Sequence, residues 1–361
     1  MTYTHILRLH LFAGGDVNGG TRDAESKSQI SLYEEGIGGK TNSDFLKNLR
    51  ALGGSLRRQT SPMKERLEEI YQPGDKLYIV GYSRGAASAR RFAVILNNQG
   101  LRLKDGTLVK HIPIECVGCF ETVASQFLAR PLQNLMKRLF GRIAKTRSIG
   151  EKGFIAPNVK KGIHNVAIDD NRMFRGTPFT FNPLLMGDED KVVETWFAGE
   201  HGDIGGYYHT RGVSDQSLKY MMDWMQGGLG EGNNLKFIQA KDIKPENIVV
   251  DGHEKYNINP LDLAILDQKP TDKIHLMTKM QNNSPSHRPM YVAKNDKMVK
   301  GGTVKVHESV LYLMEGMKKD GNKYAINPNI KKTDFVVVGA LGKELKVETA
   351  KLARNLENDY P

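Results

Sequence analysis

The stretch LYIVGYSRGAASAR, residues 77–90, restricts the architecture more than any other part of the chain. An apolar run, Leu77 to Val80, ends at a serine set between Gly81 and Gly85, and a train of small residues follows at once. The run reads as a buried strand and the small residues as the start of a helix packed close against it. A serine at the tip of such a strand-to-helix turn must adopt a strained backbone, and the glycines two residues to either side remove Cβ atoms that would crowd it. Ala86, Ala87 and Ala89 allow the helix to begin beside the sheet. The G-x-S-x-G pattern is weak in isolation, and its context makes Ser83 the candidate nucleophile.

The rest of the chain predicts where this turn belongs. ILRLHLF near the start alternates Leu7, Leu9 and Leu11 with Arg8 and His10, the period of two expected of a first strand, and runs into the glycine-rich AGGDVNGGT. SDFLKNLRALGG and SPMKERLEEIY read as helices with Ser43 and Ser61 as N-caps. After the turn, a helix runs to Gly100, and IPIECVGCF and VVETWFAG are further buried strands. VSDQSLKYMMDWM is a helix capped by Ser214 with Leu218, Met221, Met222 and Met225 inward. Beyond a soft boundary near residue 240 the clearest elements are the strand DFVVVGAL and the helical VHESVLYLMEGMKK. Alternation of strand and helix predicts an α/β fold: a mostly parallel twisted sheet flanked by helices, with residues 1–240 as the core and 241–361 as a C-terminal extension packed on it.

A serine hydroxyl needs a histidine to take its proton and a carboxylate to orient that histidine. On sheets of this kind the partners follow in the order serine, acid, histidine. His201 directly follows VVETWFAG among glycines that permit close backbone approach, and His307 in KVHESV is the reserve. Glu121, just past IPIECVGCF, is the preferred acid, with Asp203 and the pair Asp169 and Asp170 as alternatives. For the oxyanion, the backbone N–H of Arg84 is one donor and that of Gly14 or a neighbour in FAGGD is the other. A phosphate-binding loop is disfavoured, because GGDVNGGT lacks the lysine such a loop needs.

Charge adds a second theme. Lysine and arginine number 52 against 41 acidic residues, a net +11 that favours anionic partners. An insertion at about residues 126–163 concentrates it: from Arg130 to Lys161 the only carboxylate is Glu151. Within it, Leu132, Leu135, Met136, Leu139, Phe140 and Ile143 fall at helical spacing, with Lys137, Arg138 and Arg142 on the remaining surface. This is either a surface helix packed on the core or a lid facing anionic lipid. Cys116 and Cys119, three apart on a strand, point to opposite faces and are expected to be reduced and buried. They lack further ligands at zinc spacing, so neither a metal nor a cofactor is expected. No aromatic-interleaved nucleic-acid motif accompanies the cations. The N-terminal apolar stretch, interrupted by arginine and histidine, is not expected to be a secretory signal, which points to cytoplasmic production.

GDKLYIVGYSRGAASAR, GCFETVAS, VAIDDNRMF and ETWFAGEHGDIGGYY together resemble, in order and spacing, the bacterial α/β-hydrolase family that includes the phospholipase effectors of type VI secretion. The likeness covers roughly residues 5–225, with a looser match at VHESVLYLMEGMKKDGNKYAINPN. It implies an α/β-hydrolase fold and a serine lipase or phospholipase of A type that cuts carboxylic esters of membrane lipid through an acyl-serine. It further implies a triad with no metal, delivery into a rival cell, and partners in an immunity protein, a secretion spike component and the phospholipid surface. The family's triad maps onto Ser83, Glu121 and His201, with glutamate where the family usually has aspartate and Phe12-Ala13-Gly14-Gly15 where it has Phe-Asp-Gly-Thr. Competing readings are a cytosolic carboxylesterase or thioesterase, and a non-catalytic protein binding membrane or nucleic acid on the same scaffold.

Overall fold

A computed structural model describes residues 4–15, 29–34, 36, 60–123, 155–170, 191–207, 212–237, 302–311 and 333–346, with short pieces at 173–174, 177–178, 290, 292–294, 297–299 and 330. The predicted helix capped by Ser43 and the basic helix carrying Lys137, Arg138 and Arg142 lie outside these residues.

Among the described residues, six strands form one sheet: β1 (Leu77–Tyr82), β2 (Ile114–Phe120), β3 (Val159–Ala167), β4 (Val192–Phe197), β5 (Val304–His307) and β6 (Phe335–Val338). Every pairing is parallel and the spatial order is the chain order. This is the expected α/β fold. The last two strands come from the segment beyond residue 240 and hydrogen-bond to the same sheet.

Helices cover both faces. α2 (Arg84–Asn98) packs Ala86, Phe92, Ala93 and Leu96 against Val117 and Cys119 of β2. On the other face α1 (His5–Phe12) and α4 (Gly212–Gly227) pack against Cys116 and Phe120. The two cysteines therefore serve opposite cores, as their spacing on a strand requires; both are free and buried, and burial pushes both thiols up, Cys119 to about 11. Gly118 is where α4 touches the sheet: a Cβ there would lie 2.8 Å from Met221 Sδ and 3.0 Å from Met225 Cε. The inward residues read from the sequence of α4, namely Leu218, Met221, Met222 and Met225, are all buried. Ser214 is not its cap; it lies inside the helix and shares a 3.0 Å hydrogen bond with His5 Nε2. Ser61 likewise sits within a helical stretch that covers residues 60–70. Among the described residues no helix is long and apolar enough to cross a membrane.

Two readings are corrected. The segment expected as the first strand is the helix α1, because Arg8 and His10, taken as its solvent face, are buried. His5, Arg8, Leu9 and Phe12 then share one face at helical spacing, and the Arg8 guanidinium forms an ion pair with Asp215 of α4, with both side chains almost fully enclosed. The second correction is β3, which was not foreseen. Lys160, Lys161, His164 and Asn165 break its apolar pattern, yet its last six residues are buried, since His164 and Asn165 find partners inside.

Candidate active site

In a parallel sheet the connections that follow the carboxyl ends of adjacent strands meet along one edge. Here Ser83 follows β1, Glu121 follows β2, Asp169 and Asp170 follow β3, and His201 follows β4.

Ser83 has φ 58° and ψ −123°, a conformation that costs an L-residue about 1–3 kcal/mol and persists only where its surroundings enforce it. They do so with main-chain bonds. Ser83 N–H donates to Phe120 O at 2.9 Å, and Ser83 O accepts from Ala86, Ala87 and Val123 N–H at 3.1, 3.3 and 3.1 Å. Gly81 is needed as expected, since a Cβ there would sit 2.2 Å from Gly85 O. Gly85 is not: a Cβ at that position would meet nothing within 4 Å, so the crowding falls on one side of the serine only. Arg84 is the first residue of α2, so its N–H precedes the helix's own bonding ladder. Its guanidinium is part-buried, which lowers its pKa from the ordinary value.

His201 opens α3 (His201–Gly205), and its Nε2 lies 2.9 Å from Ser83 Oγ. Three features hold the ring. Glu200 and Asp203 form a capping box, in which Asp203 Oδ2 accepts the Glu200 N–H at 3.0 Å. Tyr82 lies against the imidazole at a tilt of 34° with centroids 4.8 Å apart and donates its hydroxyl to His201 O at 3.0 Å. Gly205 makes room for Tyr82, because a Cβ there would fall 2.1 Å from its ring. Tyr82 escaped the sequence reading although it stands beside the serine in the motif.

Two carboxylates reach this histidine. Asp170 Oδ2 is 4.0 Å from His201 Nδ1, and one donor atom each from Glu121, Asp170 and His201 lie within 4.8 Å of one another, all three residues being buried. Glu121 is fully enclosed with φ 46°, and its Oε2 accepts the Ala167 N–H at 2.6 Å. Its turn is fixed by Glu121 N–H to Asn165 O at 2.8 Å and by Thr122 N–H to His164 Nε2 at 3.2 Å. His164 Nδ1 in turn meets Glu194 Oε2 at 2.9 Å. Asp169 accepts the Gly199 N–H at 2.7 Å. The same trio offers the nitrogen and oxygen donors that a divalent cation would use.

The other expected site residues lie elsewhere. Gly14 was placed in a loop after a first strand; it instead follows α1 with φ 91°, and its N–H donates back to Leu11 O at 3.1 Å, so that bond occupies the group proposed for an oxyanion. Asp203 spends an oxygen on its own helix cap. His307, at the end of β5, is stacked 4.5 Å from Phe197 and edge-on to Tyr220, with its Nδ1 facing Ser309. Burial, with the charge of Lys219 adding to it, pushes its pKa down from 6.5 to about 3. It is held neutral, while an unfolded chain would protonate it near 6.5. Stability should therefore be full above that pH and fall as pH drops toward 3, by up to about 1.4 kcal/mol per unit. Urea unfolding between pH 7 and 5 should show this slope, and His307→Gln should flatten it.

The family model described as "T6SS, Phospholipase effector Tle1-like, catalytic domain" matches residues 17–108 and 102–224, more than half of the chain. None of the curated proteins gives a significant match. Among solved structures, an uncharacterized protein from Pseudomonas aeruginosa is 22% identical over 54% of this chain, with a TM-score of 0.25, and the match spans 28% of that protein's length.

Proposed function

The chain belongs to the type VI secretion phospholipase effectors with a Tle1-like catalytic domain, and on that premise we propose that it hydrolyses carboxylic ester bonds of membrane phospholipids, in the manner of a phospholipase A, through an acyl-serine at Ser83. The observation that carries this reading is the 2.9 Å approach of His201 Nε2 to the oxygen of a serine held at φ 58°. His201 takes the Ser83 proton as Oγ attacks the ester carbonyl. The negative charge that develops on the carbonyl oxygen meets the Arg84 N–H at the start of α2, where the helix dipole adds to it. Collapse breaks the ester bond, and His201 hands its proton to the departing lysolipid oxygen. Water, activated by the same imidazole, then releases the fatty acid and restores Ser83. A carboxylate from Glu121 or Asp170 keeps the imidazole oriented and offsets its positive charge.

The phospholipid surface is the proposed partner in catalysis, and the cation-rich segment with Lys137, Arg138 and Arg142 is the part whose composition suits anionic headgroups. An immunity protein, a spike component and passage from the producer's cytoplasm into a target cell complete the proposal on the family's pattern.

A fluorophosphonate probe should label Ser83, and Ser83→Ala should neither take the label nor release fatty acid from vesicles containing phosphatidylglycerol. Release by Ser83→Ala at the wild-type rate would end this reading.

A further inference from the structure

We propose that His164, a fully enclosed imidazole on β3, is a positioning residue for the nucleophile: it holds the turn after β2 against which the Ser83 backbone is braced, and Glu194 on β4 fixes the tautomer in which it can do so. The inference rests on the serine-hydrolase reading above and adds to it a second histidine, one sealed off from the substrate.

Two of the main-chain bonds that keep Ser83 at φ 58° come from residues 120–123: Phe120 O accepts the Ser83 N–H at 2.9 Å, and Val123 N–H donates to Ser83 O at 3.1 Å. The serine's own helix supplies the others, so its placement against the neighbouring strand depends on that turn. The turn is irregular, since Glu121 has φ 46°, and its buried main-chain groups must find partners outside a regular ladder. Glu121 N–H reaches Asn165 O at 2.8 Å, while the next N–H, that of Thr122, meets a side chain instead, His164 Nε2 at 3.2 Å. A ring nitrogen that accepts a hydrogen bond carries no proton, so the neutral imidazole keeps its hydrogen on Nδ1. That atom faces Glu194 Oε2 at 2.9 Å. A carboxylate there accepts the Nδ1 hydrogen and disfavours the other tautomer, in which Nδ1 would turn a lone pair toward it. Sheet register sets the arrangement: Cys119, His164 and Glu194 are lateral partners on β2, β3 and β4, so their side chains share the face covered by α2, the helix that begins beside the serine. Carboxylate, imidazole, turn and nucleophile thus form one chain of contacts running from β4 to Ser83.

His164→Leu removes both ring nitrogens at similar volume. Its kcat, counted per Ser83 titrated with fluorophosphonate, should fall on the order of 10²-fold with KM within about threefold, the loss expected when a nucleophile is displaced by about an ångström. His164→Gln restores a donor and an acceptor at nearly the spacing of the ring nitrogens, and should recover at least about tenfold of that loss. A residue that merely fills the core would change the melting temperature and the titrated fraction, but not kcat per titrated serine. In wild type, long-range proton–nitrogen correlation spectra should show His164 protonated at Nδ1 and bare at Nε2. A folded His164→Leu that turns over as wild type does, a folded His164→Gln no better than His164→Leu, or an Nε2–H tautomer in wild type overturns the proposal. Should His164→Leu not fold, Glu194→Leu replaces it: with the tautomer released, kcat per titrated serine should fall by about tenfold, and an unchanged kcat refutes the role. The two readings fail separately. Wild type that takes no fluorophosphonate at Ser83 ends the hydrolase reading, whereas labelled, active wild type with His164→Leu as its equal ends only the task given to His164.

Discussion

Replacing His201 with glutamine is expected to lower fatty-acid release from phospholipid vesicles by roughly 10⁵-fold, close to the loss caused by removing the serine itself. On the proposed mechanism the two residues act as one unit: without Nε2 at 2.9 Å, the Ser83 hydroxyl would stay protonated and be a poor nucleophile. Glutamine is chosen because it approximates the volume between Tyr82 and the 169–170 segment, so the melting temperature should stay close to that of wild type. Stopped assays on the purified variant would measure the loss. Turnover within tenfold of wild type would mean that another group deprotonates Ser83.

The second large effect is on stability. Arg8 and Asp215 join α1 to α4 with side chains 1% and 0% exposed. Removing one member of such a buried pair leaves the other's charge in a low-dielectric interior, at a cost of about 3–5 kcal/mol. Arg8→Met should therefore shift the urea midpoint steeply downward, and Arg8→Met with Asp215→Leu should recover most of the loss, because two apolar side chains need no partner. A single variant costing under about 1 kcal/mol would show that water reaches the pair.

The same two residues explain why parts of the fold were hidden in the sequence. The turn at Ser83, the flanking strand and helix, the strands around Cys116 and Trp196 and the inward face of α4 were all legible, because their hydrophobic periods are uninterrupted. Alternation misled at α1, since Arg8 and His10 counted as exposed when each has an interior partner, Asp215 for one and Ser31 for the other. β3 was missed for a related reason: its buried histidine and asparagine find partners in the Glu194 carboxylate and the Ser217 carbonyl, and no apolar pattern records that. At the site, Ser83 and His201 could be singled out because their local settings are distinctive, and the fold sets them 2.9 Å apart. The acid was left open, because Glu121 and Asp170 both follow Ser83 and precede His201, and Asp203 stands only two residues beyond the histidine. Their surroundings separate them: a Glu121 oxygen meets the Ala167 N–H, an Asp203 oxygen meets the N–H of its own helix cap, and Asp170 faces the imidazole across 4.0 Å, contacts that sequence order does not record.

Since each strand is laid beside its predecessor, the groups to which the proposal gives catalytic roles are delivered in reading order along one edge, the serine first and the imidazole last. On that proposal, the part of the chain up to the end of β3 carries the serine but not the group that would withdraw its proton. Hydrolytic competence would on the same proposal depend on β4, the strand whose end brings residue 201 to within reach of residue 83.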